Sequence, residues 1–120
     1  MTKKTINDIY RFLGMARMGK MKDDEKIAVI KLLRSMKPVA TELQNAATDA
    51  LEKARAEYPD DMQRVMQIVD KSMEDLANEE VDIIDTNILS AETFERLCLS
   101  NDWTFAQIDE LEALLTRPNQ

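Results

Sequence analysis

Residues 50–66, ALEKARAEYPDDMQRVM, carry the strongest turn in the chain. Pro59 cannot continue a helix, and it disfavours helical geometry at Tyr58. Asp60 and Asp61 are good acceptors for the free N–H groups of a new first turn. Upstream, Val29, Leu33, Met36, Ala40, Leu43, Ala47, Ala50 and Ala54 recur at alternating spacings of four and three. Downstream, Met62, Met66, Val69, Met73 and Leu76 repeat the pattern. Such spacing puts one apolar stripe on each of two helices. Joined by a short turn, they predict an antiparallel hairpin over residues 23–77 with a Met/Ala-rich seam.

The rest of the chain reads outward from that hairpin. Asp23 or Asp24 caps its first helix, which extends toward Glu57. Pro38 lies away from the stripe and predicts a kink or a break near Ser35–Lys37. Before the hairpin, a helix is expected over residues 5–17, capped by Thr5, with Ile6, Ile9, Tyr10, Leu13 and Ala16 on its core face. Phe12 lies off that stripe and is left over for a partner. MGKMK, residues 18–22, reads as a connection. After the hairpin, residues 78–89 read as an ordered loop with some helical turns. A lone strand there has no visible mate. Ser90 caps a helix that buries Phe94, Leu97 and Cys98. Thr104 and Gln107 form a capping box for a last helix whose stripe is Phe105, Ile108, Leu111, Leu114 and Leu115. TRPNQ, residues 116–120, is a tail.

The predicted fold is therefore all-α, a helical bundle built on the long hairpin. A basic N-terminal helix and connection (residues 1–22) precede the hairpin, and an acidic loop and short helix pair (residues 78–120) follow it. One domain of 120 residues is expected, large enough to bury a core without staples. Two glycines and three prolines suit a few long helices rather than many turns.

Composition excludes several chemistries. The chain has no histidine, which removes Ser-His-Asp and Cys-His catalysis and His-containing zinc sites. Its one cysteine, Cys98, cannot form an internal disulfide, and this favours an intracellular, cytoplasmic home. No apolar run reaches the roughly 18 residues needed to span a bilayer. The N-terminal apolar stretch is interrupted by Asn7, Asp8 and Arg11 and does not make a signal peptide. Among 23 acidic residues, carboxylate pairs can always be drawn, yet no glycine loop or companion nucleophile singles one out. No enzyme class, cofactor or metal is expected.

Charge is placed unevenly. Residues 1–37 hold ten Lys/Arg against four Asp/Glu, a balance of +6; residues 38–120 hold six against nineteen, a balance of −13. The basic candidates are Lys3, Lys4, Arg11, Arg17, Lys20 and Lys22. The acidic candidates are Glu74, Asp75, Glu79, Glu80, Asp82 and Asp85. The basic set suits an acidic partner protein, a nucleic-acid backbone or an anionic membrane surface, and the acidic set a basic partner; each also suits the other set within the same chain or a second copy.

Two tempting motifs fail on their residues. Residues 91–115 have the outline of a helix-turn-helix. Yet the second helix offers Asp109, Glu110 and Glu112 where phosphate needs cations, and only Gln107 suits a base edge. Direct nucleic-acid reading is therefore not expected. Residues 85–95, DTNILSAETFE, have the outline of a calcium loop entering its exit helix. Leu89 at the fifth position, Ser90 at the glycine position and Arg96 at the bidentate-glutamate position all break it.

The sequence thus predicts a non-enzymatic adaptor or assembly protein that binds another protein or itself. The alternative is an acidic decoy that mimics nucleic acid and occupies a basic protein. Small acidic helical proteins of phages and other mobile elements are put to that use.

Overall fold

The computed structural model describes residues 1–81 and 89–116. They form five helices and no strand. These are α1 (Lys3–Leu13), α2 (Asp23–Glu57), α3 (Met62–Ala77), α4 (Ala91–Leu99) and α5 (Phe105–Leu115). The all-α fold and the hairpin are as the sequence predicts. The chain divides into two compact units: Met1–Asp8 with Lys37–Val81, and Ile9–Met36 with the residues after Val81. α1 and α2 each contribute to both.

In the first unit, the second half of α2 pairs with α3. Tyr58 N–H closes the last turn of α2 on Ala54 O, and the Asp61 carboxylate caps α3 by accepting from Arg64 N–H at 3.1 Å. The Arg64 guanidinium lies 4.1 Å from the centre of the Tyr58 ring, a cation–π contact that braces the turn. Ala54, Val65 and Val69 form the buried seam, with Ala50, Leu51, Tyr58, Ile68 and Met73 packed against it. The expected stripe of α3 holds at Val69 and Met73 and fails in its first turns. Met62 and Met66 are exposed, and Val65 takes the central place. Alanines at 50 and 54 leave a shallow seam, which valine fills and a long methionine would overfill.

Residues 1–3 add a feature no helical pattern reveals. Lys3 N–H donates to Glu79 O at 2.9 Å and Val81 N–H to Met1 O at 2.8 Å, around a single antiparallel bridge between Thr2 and Glu80. The chain just after α3 therefore does have an extended mate. Thr2, not Thr5, caps α1, its hydroxyl accepting from Thr5 N–H at 3.1 Å. α1 also ends at Leu13 rather than residue 17, because Gly14 follows and the chain turns there.

In the second unit, Ile9 and Leu13 of α1, Val29, Leu32 and Met36 of α2, Phe94 and Leu97 of α4, and Leu111 and Leu115 of α5 supply the core. Each such side chain contributes about 1.5–3 kcal/mol by leaving water. Leu32 is fully buried, and Leu33, the expected seam residue, is only half-buried. The buried positions of this half of α2 are 25, 29, 32 and 36. That register begins at Glu25, so its apolar pattern looks broken in the sequence. Phe105 also departs from expectation: it is 82% exposed, and α5 buries Leu111 and Leu115 alone. Cys98 is half-buried.

The caps of both short helices are as read. Ser90 Oγ accepts from Thr93 N–H at 3.2 Å. Thr104 and Gln107 complete a reciprocal capping box. α2 runs unbroken through Pro38, which is exposed, so the carbonyl it orphans faces water rather than core. Residues 82–88, most of the loop read as ordered, lie outside the described residues, as do residues 117–120 of the tail.

Candidate interaction surface

The basic candidates do not share one role. Lys3 Nζ lies 2.8 Å from Glu42 and 2.7 Å from Glu79, and only 13% of its side chain is exposed. The hydrogen bonds it donates to Glu42 and then to Glu79 push its pKa above 10.5. Lys3 and Glu79 are thus partners of each other. Glu80 pairs with the Met1 amino group at 3.2 Å. Lys4 and Arg11 are exposed on α1, and Glu74 and Asp75 are exposed near the end of α3. Asp82 and Asp85 lie outside the described residues, and with them most of the calcium-like loop. Among the described residues, no three potential ligands gather to hold a metal ion.

Arg17, Lys20 and Lys22 follow α1 in the connection, and their backbones are fastened to the second unit. Asn101 acts like a stretch of backbone. Its Oδ1 accepts from Arg17 N–H at 2.8 Å, and its Nδ2 donates to Arg17 O at 2.9 Å and Leu97 O at 2.8 Å. Lys20 N–H donates to Ser100 Oγ at 3.0 Å. Lys22 N–H donates to Glu25 Oε1 at 2.9 Å. Glu25 is buried, yet it also receives Arg96 at 2.6 Å and the Thr93 hydroxyl at 3.3 Å. The Lys22 N–H above all, then Arg96 and Thr93, hold its carboxyl below the usual 4.5 against the opposing effect of burial.

This scaffold fixes a concavity of about 550 Å³ lined by Met15, Arg17, Leu99, Ser100, Asn101 and Asp102. Met15 is 80% exposed and Leu99 61%. Two large apolar side chains thus stand in water beside a charged pair, Arg17 and Asp102, near backbone tied down by Asn101. Phe12 is not left for a partner: its ring packs on Trp103 with centres 5.1 Å apart. That pairing joins the end of α1 to the α4–α5 turn.

The helix-turn-helix outline is real as α4, turn and α5. Its one base-reading candidate, Gln107, is spent in the capping box, where Oε1 accepts from Thr104 N–H at 3.0 Å. Asp109, Glu110 and Glu112 face solvent. No described helix is long and apolar enough to cross a membrane.

Asn101, Glu25 and the Met15–Leu99 pair escaped the sequence reading. Asn101 carried a faint signal, a turn amide just past a helix end. Glu25 carried another, as the one charge in an otherwise apolar register. Met15 and Leu99 carried none.

Compared with known proteins, the chain matches no protein family, no curated protein and no solved structure.

Proposed function

We propose that this chain is a non-enzymatic adaptor that binds a partner protein through the Met15–Leu99 concavity. The carrying observation is the exposure of both side chains, each two residues from backbone that Asn101 hydrogen-bonds at Arg17 and Leu97. Apolar anchors on pre-organised backbone are what a protein interface needs at its centre, and ordering costs little there. The partner supplies an apolar side chain for the concavity, with Arg17 and Asp102 setting its orientation at the rim. A cytoplasmic location belongs to this reading and rests on the lone, half-buried cysteine.

A second reading has its own support. Glu92 and Glu95 of α4 and Asp109, Glu110 and Glu112 of α5 are all exposed. Such a surface suits a decoy that occupies the nucleic-acid site of a basic protein.

Affinity capture by the tagged full chain, at low and at high salt, separates the two. The adaptor reading expects a partner that survives high salt and is lost from the Met15→Ser/Leu99→Ser variant, whose melting temperature stays at the wild-type value. A partner that is basic, lost at high salt and kept by that variant would overturn it in favour of the decoy.

A further inference from the structure

We propose that a second copy of this chain binds through a different pair of surfaces, the basic outer face of the first half of α2 meeting the acidic outer face of α5. This goes beyond the adaptor reading and shares no residue with the Met15–Leu99 concavity.

The α2 face is built by the helix itself. Val29, Leu32 and Met36 are buried on one side. Ile27, Ile30, Lys31 and Arg34 fall on the opposite side, within about two turns of one another. Ile27 is 52% exposed, and Ile30, Lys31 and Arg34 are also in water. A β-branched apolar pair flanked by two cations is thus left uncovered.

The α5 face has the matching composition. With Leu111 and Leu115 buried, Phe105, Asp109 and Glu112 share the outer side at spacings of four and three. Asp109 and Glu112 line a shallow depression of about 430 Å³ with Ala113 and Thr116. Among the described residues, none of Lys31, Arg34, Asp109 and Glu112 takes part in an ion pair.

The stretch of α2 from Ile27 to Arg34 therefore carries exposed apolar surface and two cations, with exposed Asp23 and Asp24 in the turn before it, and the α5 face carries exposed apolar surface and two carboxylates. A nucleic acid or an anionic lipid surface would cover the α2 face only, and α5 would repel it. A second copy covers both. If the contact is two-fold, each α2 face meets an α5 face, and four like-for-opposite charge pairs form at once. Ile27, Ile30 and Phe105 leave water in the same step.

The test is sedimentation of the full chain over a concentration series at low and high salt. Concentration-dependent self-association that weakens with salt is expected. Lys31→Glu/Arg34→Glu should weaken it about tenfold or more, and so should Asp109→Lys/Glu112→Lys, since like charges then oppose each other. Mixing the two variants should restore the complex, because each face of one variant now meets a face of opposite sign on the other. Restoration also shows that both variants are folded. Monomers at every concentration and salt would overturn the proposal. So would self-association untouched by either reversal, or a mixture no tighter than its components. Binding of anionic phosphatidylserine vesicles by a chain that stays monomeric would overturn it in favour of a lipid surface.

Discussion

Leu32 and Leu33 differ by one position and by about 100° around α2, and that rotation separates core from surface. Leu32 is fully buried; Leu33 is half-buried. Replacing a buried leucine by alanine costs about 2–5 kcal/mol, because the site loses transfer energy and gains a cavity. Leu32→Ala should therefore destabilise strongly in urea unfolding, and Leu33→Ala by less than half as much. Equal losses would restore the stripe read from the sequence. The error in that stripe has a physical origin. Spacings of four and three fit either register, and the correct one passes through Glu25, a charge that no apolar count includes. Its burial is tolerated because Lys22 N–H, Thr93 and Arg96 satisfy both oxygens. Two of these partners are far away in the chain, so nothing near residue 25 announces them.

At the scale of elements, most of what is local was legible, the cap of α1 at Thr2 rather than Thr5 being the exception. Asp61, Ser90 and Thr104 each cap a helix by a bond to an N–H three residues on, and such bonds depend on nearby sequence alone. The hairpin ends agree with the turn at Pro59 for the same reason. What was not legible depends on neighbours: Val65 rather than Met66 in the seam, Phe105 in water, Phe12 on Trp103. Each is decided by the shape of the facing element, which no single helical period contains. Pro38 is a mixed case. Its cost to α2 is local, but α2 continues because the position is exposed. Pro38→Ala should stabilise the protein. Helix propensity favours alanine by about 3 kcal/mol. The greater freedom of the unfolded chain returns about 0.4–1 kcal/mol of that. A net rise of about 2 kcal/mol in unfolding free energy is expected; an unchanged midpoint would show that the ring makes contacts worth as much as the bond it removes.

At the scale of the whole molecule, pH acts from both ends. Glu25 titrates below 4.5, so its stabilising effect is fully present above that pH and is lost as pH falls through its lowered pKa. Lys3 titrates above 10.5, so its effect is present below that pH and is lost as pH rises through its raised pKa. Glu25 thus bounds a plateau of melting temperature on the acid side, and on the alkaline side the Cys98 thiol, held up from 9.0, ends it before Lys3 titrates. Glu25→Gln should melt lower than wild type at neutral pH and lose less on acidification to pH about 3. Parallel acid limbs for the two proteins would mean that Glu25 is not the group being protonated. The sequence gives no hint of either group's environment, because Lys3 and Glu79, or Glu25 and Arg96, meet only once the helices are packed.

Cys98 gives the second unit its own reporter. The thiol is half-buried, and burial, with the charges of Glu112 and Glu95, pushes its pKa above 9.0. It is therefore mostly protonated and slow to react. Because no other cysteine competes, the rate at which a thiol reagent takes it up reports the exposure of that one site on α4, without any partner having to be known.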